Sequence, residues 1–292
     1  MSHASLSILD FVPGAEIAGR FKIVRPERQS GLSAAFAAFD EKAGSGDTDC
    51  SIVLFSGALF EGEKQAEEFR ATWKPWTKVR SPHVACVREV LALPHSTTLL
   101  VTDPAPGVSL REWLKKNGAM TPAQVREFGL GLLEGLSAIH AQKLVHGDIK
   151  PQTIFVDEDG HGLDGLLVDG GITTGLWSAK HLGEHTALIG TPYYAPIEQF
   201  GGDSPDAQSD IYNVATVLFE CATGVLPWPG KSLLEIFQAK LDRNAPSMKR
   251  RAPNANVPKA LESAIVQGLL ANRLERFATA NEFRDALAAV SA

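Results

Sequence analysis

Three side chains stand out by type and position: Asp148 and Lys150 in the run HGDIK, and Asp169 in VDGG. A carboxylate can orient a hydroxyl or hold a cation, and a lysine can meet an anionic oxygen. Out of context, each Asp is ordinarily a surface or helix-capping residue. The cysteines Cys50, Cys86 and Cys221 are far apart and lack metal-ligand spacing. They read as small buried apolar residues in a reducing, cytoplasmic setting.

The elements that must position these groups follow from patterning. The 292 residues are 44% hydrophobic and 21% charged, enough for one large domain or two packed lobes. The net charge of −6 gives no electrostatic reason to expect nucleic acid or an anionic membrane as partner. No apolar run approaches a membrane span, so no membrane contact is expected from this segment. The first third is β-rich: FKIVRP, AAFAAFD, CSIVLF, VACVREVLAL and TTLLVTD are apolar or alternating runs parted by turn residues. Between the third and fourth, EGEKQAEEFRATWKPWTKV has helical composition, shortened or kinked at Pro75. DPAPG is an extended connector, and helices dominate beyond it. Thr121 and Pro122 form a helix start, followed by Val125, Phe128, Leu132, Leu136 and Ile139 on one face. SDIYNVATVLFECATG, SLLEIFQAKL, KALESAIVQGLL and TANEFRDALAAV repeat the helical pattern. The fold class expected is α+β with two lobes.

LVHGDIKPQTIFVD, Leu144 to Asp157, resembles the protein-kinase catalytic loop H-R-D-L-K-P-x-N with the strand that follows it. LLVDGGIT resembles the strand and D-F-G metal motif, and IGTPYYAPIEQF the end of an activation segment. SDIYNVATVLFECATGVLPW is similar to the family's central helix, and LANRLERFATANEF to its closing D-P-x-x-R-F-x-S-A pattern. These five segments, in order over almost the whole chain, resemble the bacterial Hanks-type serine/threonine protein kinases. The resemblance implies one bilobal kinase-like domain: an N-lobe over residues 1–104, with 1–17 as lead-in, and a C-lobe over 105–292. It also assigns roles. Asp148 would orient the acceptor hydroxyl, Lys150 would steady the γ-phosphate, and Asp169 with Thr153 would hold magnesium. His146, Thr191 and Asp210 would be architectural, and Glu198 and Arg276 would form a buried ion pair. Gly31 of the phosphate-covering turn, Ala35, Val53, Asp103, Ala105 and Phe155 would line the nucleotide cleft. Thr173, Thr174, Ser178 and Thr186 are candidate phosphosites.

Departures from the family pattern are equally specific. Phe55 takes the place of the strand lysine, and alignment back from SPHV puts Thr72 at the helix glutamate. Glu68, one turn earlier, reads as a solvated charge. The three glycine places of the turn hold Arg28, Ser30 and Ser33. Thr153 replaces an amide, Gly170 the Phe of D-F-G, and Gly147 the Arg of H-R-D. A side chain in the turn keeps backbone N–H groups from closing on phosphate. The reading is therefore a pseudokinase that binds or regulates a protein partner, with no cofactor expected. The alternatives are an active kinase using ATP and magnesium through a relocated cation, Lys22 or Arg28, and a nucleotide sensor without turnover.

Overall fold

The computed structural model describes residues 11–43, 49–158, 163–181, 192–241 and 246–290. They form two compact units. The first holds the described residues up to Val79, with Ala85–Ala105 and Ser178–His181; the second holds the rest.

The first unit is a six-stranded antiparallel sheet of order β1-β2-β3-β4-β6-β5. Its strands are β1 (Glu16–Ile17), β2 (Phe21–Gln29), β3 (Ala34–Asp40), β4 (Asp49–Phe55), β5 (Val87–Leu93) and β6 (Thr97–Thr102). Alternation sends Ile23, Phe36, Ile52, Leu54, Leu99 and Val101 to one buried face, closed by Phe11 stacked on Phe36 at 5.1 Å. Ser51, Val53 and Phe55 point the other way and are buried too, so β4 is covered on both faces. Pro26 is tolerated inside β2 because the pairing with β3 is bulged on either side of it. Helix α1 (Glu63–Thr72) stops at Trp73, and Pro75 opens a separate 3-10 turn, Trp76–Lys78. The helix is thus shortened ahead of the proline, as its missing donor requires.

The second unit is mainly helical. It carries the small sheet β7 (Val108–Ser109), β8 (Ile154–Glu158) and β9 (Leu163–Leu167). The stretch 80–84 belongs here because Leu167 N–H donates to His83 O at 2.9 Å and Val84 bridges Leu167. The helices are α2 (Leu110–Asn117), α3 (Pro122–Ala141), α4 (Ile172–Ala179), α5 (Ile197–Phe200) and α6 (Ala207–Thr223). They continue with α7 (Leu233–Lys240), α8 (Met248–Arg251), α9 (Lys259–Gln267) and α10 (Ala280–Ala288). Thr121 caps α3 in a reciprocal box with Gln124, and Pro122 takes the first helical position. Helix α6 is buried from Ser209 to Thr223, which makes it the axis of the unit. Its cap is Asp206, bonded to Ser209 N–H at 2.9 Å. Asp210 therefore lies inside the first turn, free to serve another element. No helix among the described residues is long and apolar enough to cross a membrane.

Candidate active site

The loop between α3 and β8 hangs on one buried carboxylate. Asp210 is fully buried and accepts from the backbone N–H groups of His146 and Gly147, both at 2.8 Å, and from His140 Nε2 at 3.0 Å. An unpaired carboxylate at this depth would cost several kcal/mol, about as much as its three donors recover. His146 Nε2 donates to Val168 O at 3.1 Å, while its Nδ1 faces Asp148 N–H at 3.4 Å. That division needs a neutral ring with its proton on Nε2, and burial pushes the His146 pKa down accordingly. Gly171 N–H donates to His146 O and Val168 N–H to Thr153 O, at 2.9 and 3.0 Å. The end of β9 and the loop are thereby held in register.

Within this frame Lys150 Nζ lies 2.5 Å from Asp148 Oδ2. Burial raises the Asp148 pKa, and the lysine opposes that rise. Thr153 Oγ1 donates to Asp148 O at 2.8 Å and accepts from Lys150 N–H at 3.1 Å. Its hydroxyl is thus a brace for the loop. Asp169 sits in the left-handed region at φ 61°, ahead of Gly170 and Gly171, and lies close enough to add to the rise at Asp148. Phe155 is buried on β8, paired with Ser109 and Leu166.

Past Gly171 the chain enters α4 directly. Gly147, at φ 83°, packs on it: a Cβ there would lie 3.1 Å from Thr174 Cγ2. An arginine at 147 would therefore meet both a strained backbone and this helix. Thr173 is buried and the Thr174 hydroxyl bonds Gly171 O at 3.3 Å, which argues against either as a phosphosite; Ser178 is exposed. Thr186 and Thr191 lie outside the described residues.

The first unit carries the most altered positions. Phe55 is fully buried, edge-on to Phe69 at 4.9 Å and tilted to Trp73 at 6.4 Å. Phe60 and Trp76 extend the cluster, 5.3 Å from Phe69 and 5.9 Å from Trp73. The residues meeting Phe55 from α1 and its C-terminal cap are thus Phe69 and Trp73. Thr72, assigned to the helix glutamate's place, instead donates its hydroxyl to Phe69 O at 2.7 Å. Glu68 accepts from the exposed His181 at 3.1 Å.

The β2–β3 turn is closed upon itself. Ser30 Oγ accepts from Leu32 N–H at 3.1 Å and Ser33 N–H at 3.0 Å, and Ser30 N–H donates to Ser33 O at 2.8 Å. A serine oxygen thus occupies donors that a phosphate would need. An added Cβ at Gly31 meets nothing within 4 Å, so this glycine answers to no close approach. Ala35 and Val53 are direct cross-strand partners, both buried. Beside them lies a carboxylate that sequence reasoning missed: Glu27 accepts from Ser51 Oγ at 2.7 Å and Arg28 Nη1 at 3.1 Å. A charge in a strand just before the turn was its only signal. Arg28 is committed to that acid, and Lys22 sits about 20 Å up the same strand. Asp103 spends its carboxylate on Arg88 Nε and Cys86 N–H, at 2.7 and 3.1 Å, and Ala105 is buried.

The ion pair expected at the other end of the chain is present. Arg276 grips Glu198 with both terminal nitrogens, at 2.6 and 2.9 Å, and its side chain is wholly buried. A second network, built on the buried Glu220, was not foreseen: Tyr194 O–H donates to Glu220 at 2.7 Å, and the half-exposed Arg111 binds the same carboxylate at 2.8 Å.

An antiparallel sheet with one main helix, a helical unit built around a buried axis, and a loop hung from that axis by an aspartate define a protein-kinase fold. The family pattern described as the protein kinase domain matches residues 60–285, and the chain belongs to that family. The chain is 26% identical to serine/threonine-protein kinase PrkC of Bacillus subtilis over 269 residues, covering 92% of this chain and 40% of that protein. It is 36% identical to serine/threonine-protein kinase PknD of Mycobacterium tuberculosis over 176 residues, 60% of this chain and 26% of that protein. Thus it spans two fifths or less of the length of these relatives. The crystal structure of the Mycobacterium tuberculosis PknI kinase domain superposes with a TM-score of 0.70 at 17% identity, covering 95% of this chain and 98% of that one.

Kinases of this family use ATP and magnesium, and these residues fit that pair poorly. Thr153 is engaged by the loop, the turn's donors are used internally, and position 55 offers a ring in place of a cation.

Proposed function

We propose that this chain is a pseudokinase: a kinase fold in bacterial serine/threonine signalling that binds or regulates a protein partner without transferring phosphate. The observation that carries the reading is Phe55 packed on Phe69 and Trp73. Phosphoryl transfer depends on fixed cations and donors facing the phosphates. Here the strand cation and its helix partner have become an aromatic core, which excludes water and charge. Ser30 adds to this by filling the turn's own donors.

A second reading, an active kinase with a relocated cation, draws support from the retained Asp148–Lys150 pair. Its two candidate cations are poorly placed, since Arg28 is paired with Glu27 and Lys22 lies at the far end of β2. Thermal unfolding with and without millimolar Mg-ATP tests the cofactor side of the proposal. Ligand present at about 100 times its Kd would add about 2.7 kcal/mol, a shift of several degrees. The proposal expects none. A clear shift without turnover would instead favour a nucleotide sensor.

A further inference from the structure

The segment between α6 and α7 turns on Pro227, Trp228 and Pro229, and with α7 and α8 it walls a groove of about 390 Å³. Trp228 is buried, and its indole N–H is engaged by the Tyr212 hydroxyl at 2.7 Å. What the ring offers the groove is therefore carbon surface, extended by the flanking prolines and Ala239.

The walls are fixed. Gly230 stands so close to α7 that a Cβ there would lie 2.7 Å from Ile236 Cγ1. On α8, Ser247 caps the helix, Met248 N–H donates to Glu262 at 2.7 Å, and Arg251 Nε–H donates to Leu226 O at 3.1 Å. A preformed site saves a ligand the cost of ordering it.

The α8 side of the groove is cationic. Arg250 is exposed, and Arg251, held through Nε, keeps both terminal nitrogens for another acceptor. Elsewhere in this unit arginines are committed to carboxylates: Arg111 to Glu220, Arg273 to Asp206 and Arg276 to Glu198. Arg250 and Arg251 have no such partner among the described residues, and no acid lines the groove among them. Lys249 turns away to Pro253 O at 3.2 Å. In a chain of net charge −6, this pair of guanidinium groups is a local exception.

Carbon surface beside two guanidinium groups asks for a ligand that is apolar at one point and anionic a few bonds on. Guanidinium meets carboxylate in a planar fork. Aromatic-lined grooves suit extended, proline-bearing segments. Nucleic acid fits less well, because tracking its backbone needs a longer run of cations.

We propose that this groove docks an extended acidic segment of a protein partner, with a proline or other apolar side chain against Trp228 and a neighbouring carboxylate on Arg250 and Arg251. The proposal rests on the partner-binding reading above for the expectation of a protein, and it gives that partner a chemistry.

The test pans a phage-displayed library of random peptides on the immobilised full chain and measures the recovered peptides by fluorescence polarisation. Recovered sequences should join Asp or Glu to a proline or large apolar residue. Changing their acids to amides, raising salt tenfold, or Arg250→Glu should each weaken binding about fivefold or more. Gln238→Trp, which fills the groove without changing charge, should weaken it as much. Both positions are exposed, so both variants should keep the wild-type urea midpoint. Neutral or basic binders, binding that the two variants leave unchanged, or no binders at all would overturn the proposal. So would a dimer of the chain, or binding of a short DNA duplex, that Gln238→Trp abolishes. These outcomes leave the absence of phosphate transfer untouched, whereas label transfer in a kinase assay would end that reading and leave the groove in place.

Discussion

Phe55 of β4 stands edge-on to Phe69 of α1, with ring centroids 4.9 Å apart and planes at 66°. In the family pattern a strand and a helix of the first lobe are joined by a lysine and a glutamate, and under the proposed function this aromatic pair stands in for that ion pair. Buried ion pairs are often replaced by well-packed apolar groups with no loss of stability. An edge-to-face pair contributes about 0.5–1.5 kcal/mol beyond its buried area. The exchange keeps strand and helix together while removing the group that would grip phosphate.

Restoring lysine at this position is therefore expected to fail. In Phe55→Lys the ammonium would enter a site lined by Phe69 and Trp73. A stranded buried charge costs about 3–5 kcal/mol. Urea unfolding should show that loss, and Mg-ATP should not recover it.

Glu198 and Arg276 should behave as a unit. Glu198→Ala strands a fully buried guanidinium and should cost about 3–5 kcal/mol. Replacing Arg276 by Met in that background should restore part of the loss, because the stranded charge goes with it. A double-mutant cycle measures the coupling directly; additive effects would contradict this account of the pair.

Thr153 should matter through the loop backbone. Thr153→Val keeps the shape but leaves Asp148 O and Lys150 N–H without their hydroxyl partner. The expected cost is about 1–3 kcal/mol. Thr153→Ser, which keeps the hydroxyl, should recover most of it.

Acid should loosen the loop at His146. Its folded pKa lies below the unfolded value of about 6.5, so its contribution is fully present above 6.5 and is lost as pH falls toward the folded value. Asp148, raised by burial, acts in the opposite sense, with its contribution lost as pH rises through its folded value. Comparison with His146→Gln isolates the histidine: the urea midpoints of wild type and variant should converge between about pH 7 and pH 5.

The sequence made the second unit's loop and its support readable because the relevant groups sit inside contiguous motifs. Asp210, His146, Asp148 and Lys150 occupy fixed offsets, and the Glu198–Arg276 pair joins two motifs that each carry one partner. The register of α1 was not readable. Its helical stripe is broken by Trp73 and Pro75, so alignment from the following turn chose Thr72, while packing on Phe55 selects Phe69 and Trp73. The cap of α6 falls on Asp206, although Ser209 and Asp210 nearby are residue types that cap as well. A missing glycine is visible in sequence; that Ser30 then supplies the acceptor for the turn is visible only in three dimensions. Nothing in the run SLLEIFQAKL marks Lys240 as buried, because a lysine at a helix end ordinarily stays in solvent beside the terminal carbonyls. Its burial arises from the 193–195 backbone folding over it.

The most direct test of the central claim is transfer of radiolabelled γ-phosphate, to the chain itself and to generic protein substrates, with magnesium or manganese. Wild type runs beside Asp148→Ala. The account expects the two to incorporate equally little label, because each 1.4 kcal/mol of lost transition-state stabilisation is about tenfold in rate and several such contributions are gone. Incorporation by the wild type that vanishes in Asp148→Ala would contradict it and establish an active kinase.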